Sequence, residues 1–163
     1  MMNEKISSLL NEQIQKEFES AYSYLGFASY FDSEGLAGFA NWYKVQSKEE
    51  TEHAMKFYKY LISRGQKVRL LDIKAPKEKL EGIEQILKLG LANEEYVTGL
   101  INDIYALAQK EQDWFTKNFL EWFVSEQFEE ECAAHELLEK YRLFGKTGEG
   151  LYELNKELGK REE

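Results

Sequence analysis

Glu50 and His53 stand three residues apart in the stretch Gln46-Ser47-Lys48-Glu49-Glu50-Thr51-Glu52-His53-Ala54-Met55-Lys56-Phe57-Tyr58. On a helix that spacing puts both on one face, about 5–6 Å apart at the Cβ atoms. A carboxylate and an imidazole converging in this way suit a first-row transition metal. A Glu-x-x-His pair is common on solvated helices, so the face it occupies decides its meaning. Stepping by threes and fours gives Leu36, Phe39, Tyr43, Gln46, Glu50, His53, Phe57 and Tyr60. The pair therefore interrupts an apolar stripe. An ion buried without a partner costs several kcal/mol, so other elements must bring it partners.

Three further helices carry stripes of the same period. The first, from about Glu4 to Phe31, reads Leu10, Ile14, Glu17, Ala21, Tyr24, Ala28, Phe31. The second is the Glu-x-x-His helix, about Leu36 to Arg64, reached through the short turn Asp32-Ser33-Glu34-Gly35 and closed by Gly65. The third, about Gly82 to Lys110, reads Ile83, Leu87, Gly90, Glu94, Val97, Ile101, Ile104, Ala108. The fourth, about Asp113 to Phe144, reads Leu120, Phe123, Gln127, Glu130, Ala134, Leu138, Tyr141. Alternating threes and fours belong to bundles. Between the second and third helices, residues 65–81 lack helical period and contain Pro76, the single proline. Val68 to Ile73 is β-like but has no evident partner strand. Extended at about 3.3 Å per residue, this segment reaches roughly 55 Å, more than the roughly 42 Å of a helix of about 28 residues. It can traverse the bundle and leave the second and third helices parallel. Past a glycine-rich hinge from Gly145 to Gly150, Leu151, Leu154 and Leu158 mark a short fifth helix, about 148–160, that must dock elsewhere. The expected fold is all-α: a four-helix bundle over about 4–144 with one long crossover and a short C-terminal helix, one domain over 1–163.

Each stripe is broken by a polar residue near its helix midpoint, and midpoints meet at one level whatever the helix direction. Glu17, Glu50, His53, Glu94, Gln127 and Glu130 are thereby expected in one buried cluster. A hydrogen-bond network would have to hold these carboxylates against one available positive charge, His53. Their repulsion is relieved by protons or by metal ions. Carboxylate with imidazole favours iron or manganese over thiolate-bound copper.

With 163 residues the chain can bury a substantial core. Its formal charge of −9, from 30 acidic against 21 basic residues, argues against sequence-independent nucleic-acid binding. No run could span a bilayer and the N-terminus has no apolar signal core. The lone Cys132 excludes an intrachain disulfide framework and any Cys-x-x-Cys site. A cytoplasmic setting is expected.

The chain resembles the non-haem bacterial ferritins over nearly its whole length. The resemblance is carried by Asn11-Glu12-Gln13 leading to Glu17, by Glu49-Glu50-Thr51-Glu52-His53-Ala54, by Glu94, and by Trp122-Phe123-Val124-Ser125-Glu126-Gln127-Phe128-Glu129-Glu130-Glu131. It implies that Glu17, Glu50 and His53 bind a first iron. Glu50 would bridge to a second, completed by Glu94 with Gln127 or Glu130 nearby. Tyr24 and Trp122 match aromatic residues that flank the centre in the family, in either a redox role or ordinary core packing. The implied activity is a ferroxidase and iron store using O2 or H2O2, in a shell of twenty-four copies with the fifth helix around four-fold axes. A third metal site is expected from Glu49, Glu126, Glu129 and Glu130, the last three sharing one flank of the fourth helix.

Departures narrow the choice. Gln127-x-x-Glu130 stands where bacterioferritin-like and reductase-like bundles have a second Glu-x-x-His. Thr51 stands where a haem-binding relative would have methionine, so no haem is expected. Two alternatives remain: a soluble di-metal oxidoreductase or peroxidase of small oligomeric size, and a DNA-protecting miniferritin. The latter would lack the fifth helix and carry a basic tail, whereas Gly159-Lys160-Arg161-Glu162-Glu163 is mixed in charge. His135 is expected at the surface.

Overall fold

The helices begin and end where local chemistry dictates. The computed structural model describes residues 1–76 and 79–162, and these contain five α-helices and no strand. They are α1 (Glu4–Ser33), α2 (Ala37–Ser63), α3 (Ile83–Lys110), α4 (Trp114–Phe144) and α5 (Gly148–Leu158). Asn3 starts α1 by accepting from the Lys5 amide at 2.8 Å, and Asp113 starts α4 by accepting from the Thr116 amide at 3.1 Å. Gly65, at φ 68°, ends α2: its amide donates to the Ile62 carbonyl at 3.0 Å and that of Gln66 to Leu61 at 2.9 Å. This is a paired helix-end motif that needs a left-handed residue.

Side-chain contacts give the helix directions. Gln46 of α2 meets Glu130 of α4, and Tyr60 of α2 meets Thr116, so α2 and α4 run antiparallel. Asn3 of α1 meets Glu111 just after α3, and Tyr24 meets Gly90, so α1 and α3 do too. With α1/α2 and α3/α4 as hairpins, α2 and α3 are parallel, an arrangement that the length of the crossover allows. The crossover lies along α1: Asn11 Oδ1 accepts from the Arg69 amide at 2.6 Å, and Gln15 donates to the Asp72 carbonyl at 2.5 Å. Val68–Ile73 is thus extended but held by side chains, not by a strand. Lys77 and Glu78 lie outside the described residues.

The core is in two parts. One apolar cluster includes Ile6, Leu10, Ile14, Phe57, Leu61, Ile101, Leu120 and Phe123. The other includes Phe27, Phe31, Phe39, Tyr43, Ile86, Leu138, Leu154 and Leu158. The expected stripes differ in detail near the helix ends. Ala134 and Tyr141 of α4 are only half-buried, whereas Leu137 is buried, because α5 covers that side of the helix.

The leucines of α5 dock on their own bundle: Leu154 and Leu158 are each 4% exposed within the single chain, and Leu151 is half-buried. Asn155, between them, accepts from the Gly38 amide at 2.8 Å and the Phe39 amide at 3.2 Å. The residue before α2, Leu36, makes no side-chain cap; α5 supplies the cap instead. Asn155→Ala is therefore expected to destabilise the chain by about 1–2 kcal/mol, measured as a lower midpoint in chemical denaturation; an unchanged midpoint would refute the capping role.

Candidate metal centre

Between the two apolar clusters lies a polar band with contributions from all four long helices. Glu17, Glu50, His53, Glu94 and Gln127 are at most 3% exposed, and Glu130 is 6% exposed. The structure therefore brings together all six residues whose mid-helix positions pointed to a common level.

Partners within the band are few. Glu17 Oε1 accepts from Gln13 Nε2 at 2.8 Å. Glu94 accepts from the Tyr24 hydroxyl and from Gln127 Nε2 at 3.3 Å. Glu130 accepts from Gln46 Nε2 at 2.6 Å. Glu17 Oε2, both oxygens of Glu50, His53 Nδ1, Gln46 Oε1 and Gln127 Oε1 are buried with no hydrogen-bond partner. Buried polar atoms are nearly always satisfied, and here the unsatisfied ones are gathered at one place. Ligand atoms of Glu17, Glu50 and His53 lie within 4.8 Å of one another, and so do those of His53, Glu126 and Glu130. The imidazole spans the groups: Nδ1 is 3.4 Å from Glu50 Oε2, and Nε2 is 3.8 Å from Glu126 Oε1. A metal-bound imidazole is commonly oriented by an outer carboxylate, carbonyl or water, and Glu126 stands on the Nε2 side of this ring.

Electrostatics make the same point. Burial, and then the neighbouring Glu50, push the Glu17 carboxyl far above its ordinary range. Burial, and then Glu94, do the same to Glu50. Burial raises Glu94 to about 7 and, with the Glu94 charge, raises Glu130 to about 7. Without a cation the cluster keeps protons that carboxylates normally release. A pair of divalent cations would replace them, and the donor set of carboxylate and imidazole fits iron.

The other expected site residues are placed less uniformly. Tyr24 is buried against the band, its hydroxyl also accepting from Asn93 Nδ2 at 3.0 Å. Trp122 does not belong to the core: it is 41% exposed, its ring 5.5 Å from that of His53, with Lys56 Nζ 3.6 Å above it. Because Trp122 precedes Phe123 on α4, only one of the two can face inward, and Phe123 does. Of the four residues expected at a third site, Glu126 and Glu130 sit together with His53, Glu49 is paired with Arg161 at 2.7 Å, and Glu129 is exposed. His135 is exposed as well. Gln13 and Gln46, absent from the expected cluster, hold Glu17 and Glu130. Their signal was an amide at a buried helical position. Asn93 and Arg161 gave no signal, since their partners are distant in sequence.

Residues 7–144 match the family model of the ferritin-like domain. The chain belongs to the ferritin family. It is 37% identical over 161 residues to a bacterial non-heme ferritin of Staphylococcus saprophyticus, covering 99% of this chain and 96% of that one. The counterpart of Staphylococcus haemolyticus is 36% identical, with 99% and 97% covered. An open pore ferritin from the archaeon Archaeoglobus fulgidus superposes with a TM-score of 0.96 at 42% identity, covering 99% of this chain and 98% of that one. A humanized archaeal ferritin superposes with a TM-score of 0.97 at 43% identity over the full length of both. The family membership agrees with the bundle, the single crossover and the α5 helix.

Proposed function

We propose that the chain is an iron-storage ferritin whose polar band is a ferroxidase centre. The observation that carries this reading is the set of six buried, unpartnered oxygen and nitrogen atoms between the two apolar clusters. Two Fe2+ ions are the substrates. Glu17, Glu50 and His53 hold one; Glu50, Glu94 and Glu130, with Gln127 beside them, hold the other. The carboxylates release protons as the metals enter. Each Fe2+ gives one electron to O2, so that two Fe2+, one O2 and two protons yield two Fe3+ and one H2O2. Several carboxylates favour the higher charge of Fe3+ and so promote oxidation. Tyr24 orients Glu94 through its hydroxyl. Trp122 lies outside the core beside His53, where it shields one edge of the ring. The Fe3+ product moves to a mineral in the interior of a shell of twenty-four copies in the cytoplasm.

Assembly is supported by family membership and by apolar side chains left exposed on the described single chain. These include Trp114, Phe115, Phe128, Phe144 and Tyr152. They lie on α4 and α5, where partner subunits would cover them. No helix among the described residues is long and apolar enough to cross a membrane.

Light-scattering mass after size exclusion, measured together with iron content after aerobic Fe2+ loading, tests both parts. The expected result is a particle of about twenty-four subunits retaining far more iron than its centres can bind. A stable monomer or dimer holding two irons per chain would overturn storage and favour a small di-metal oxidoreductase.

A further inference from the structure

After α5 the chain returns to the metal centre. A Cβ at Gly38 would fall 1.6 Å from the Asn155 carbonyl oxygen, so glycine permits the close approach of α5 to the start of α2. Beyond that contact, Asn41 Nδ2 donates to the carbonyls of Leu158 at 3.2 Å and Arg161 at 3.0 Å. These bonds fix residue 161 beside α2. The Arg161 guanidinium lies 4.0 Å from the centroid of the Trp42 ring. It donates through Nη1 to the Trp42 carbonyl at 3.3 Å and pairs through Nη2 with Glu49 Oε2 at 2.7 Å.

Glu49 is half-buried next to Glu50 and adds its charge to the field at Glu50 and Glu130. It feels the charges of Glu126 and His53, and Glu126 and Glu130 already lie within ligand range of His53, so Glu49 is the α2 carboxylate beside that group. A guanidinium is permanently charged and cannot leave by losing a proton. Its bond to a carboxylate is charge-assisted, and stacking on an indole adds to its hold. Because the Asn41 side-chain amide holds the Leu158 and Arg161 carbonyls, Arg161 meets Glu49 at a high effective concentration against which a metal ion must compete.

The structure assigns to Arg161 the role of an internal cation that occupies Glu49 and limits tight metal binding to two ions per subunit, a third binding tightly only when the guanidinium is displaced. This rests on the proposed two-metal centre. Removing Arg161 leaves Glu49, Glu126 and Glu130 as three carboxylates near one imidazole, a set that attracts a divalent cation.

The test is calorimetric titration of the metal-free assembled protein with Zn2+, which binds without redox change. The native chain is expected to take two Zn2+ tightly per subunit and a third weakly. Arg161→Ala should tighten the third by about tenfold or more. Arg161→Met, which keeps an apolar cover on Trp42, should do the same. Arg161→Ala combined with Glu49→Gln should return to two tight sites, which a merely structural role for Arg161 would not produce. A native chain with three sites of equal affinity, Arg161 variants without a tightened third site, or a double variant that keeps it would each overturn the assignment. Fewer than two tight sites in the native chain would refute the two-metal centre instead. The Arg161 assignment would then stand or fall on whether Arg161→Ala adds one site to that smaller number. Should both Arg161 variants fail to fold, native crystals soaked in concentrated Zn2+ decide the matter. A third zinc on Glu49 with Arg161 displaced supports the assignment, whereas a third zinc with the pair intact, or none, overturns it.

Discussion

Replacing Glu50 with alanine is expected to slow the oxidation of the first Fe2+ ions by roughly a hundredfold, more than the loss of any other carboxylate of the centre. The reason is its position. Both Glu50 oxygens are buried and unpartnered; one lies 3.4 Å from His53 Nδ1, and its carboxylate senses Glu94 and Glu130 from the other side. In the proposed centre Glu50 would serve both halves, whereas Glu17 and Glu94 would each serve one and are already held by Gln13 and by Tyr24 with Gln127. Glu17→Ala and Glu94→Ala should therefore retain more activity, and His53→Ala should weaken chiefly the half that includes Glu17. Stopped-flow absorbance of Fe3+ after mixing Fe2+ with aerated protein reads all four variants. Oxidation by Glu50→Ala at the native rate would show that the centre is elsewhere. The same variant should be at least as stable as the native chain without metal, because it removes a buried carboxyl that has no partner. A lower denaturation midpoint would contradict that account.

The second large effect is a dependence of metal-free stability on pH that runs opposite to simple acid denaturation. Glu94 and Glu130, raised to about 7 by burial, keep their protons when folded in a range where an unfolded chain, at about 4.5, has released them. The folded state thus binds more protons between those values, and stability falls as pH rises from about 5 to about 7.5. The contribution is fully present below about 4.5 and lost once pH passes the folded value. Glu17 and Glu50, raised further, extend the decline in the same direction. The opposing case, Glu84, held down to about 2 by hydrogen bonds from Lys146 and Lys88, acts only in stronger acid. One pKa unit corresponds to about 1.4 kcal/mol, so the metal-free midpoint should drop by on the order of 10 °C over this window. Saturating Zn2+ should reverse the trend, since the ions bind the deprotonated carboxylates and stabilise the folded state by mass action. Calorimetry at pH 5, 6, 7 and 8, with and without Zn2+, measures both. A metal-free midpoint that rises steadily with pH would show that the band is solvated and not a dry metal site.

Much of the molecule was determined locally and could be read as such. The stripes of α1 to α4 follow from the spacing of apolar side chains, because a helix that hides one face must repeat it every three or four residues. The turn at Gly65 follows from a left-handed position that glycine adopts freely. The crossover followed from arithmetic on reach, since residues 65–81 could span a helix length and had no other structure to form. Glu17, Glu50, His53, Glu94, Gln127 and Glu130 were legible as a set because each breaks an apolar stripe near its middle.

What tertiary structure alone decided concerns residues whose partners are far along the chain. Periodicity cannot say what an apolar stripe packs against, so Leu154 and Leu158 could as well have joined subunits; only the fold shows them buried on their own bundle, with Asn155 capping α2. Periodicity places Phe123 in the α4 stripe, but only the fold shows Trp122 beside it at the surface, under Lys56 and against the His53 ring. Glu49 of α2 and Glu126, Glu129 and Glu130 of α4 are spaced as if to meet around one metal, the last three on one flank of their helix. Helix rotation separates them: Glu126 reaches His53, Glu129 faces solvent, and Glu49 meets Arg161, 112 residues away. A contact of that separation depends on how α5 closes over the bundle and has no imprint in the spacing of either residue. The four helices and the level at which their carboxylates meet both follow from short-range periodicity. The fold decided how each carboxylate there is held, whether by an amide, a tyrosine or an arginine from the other end of the chain, or left for a metal.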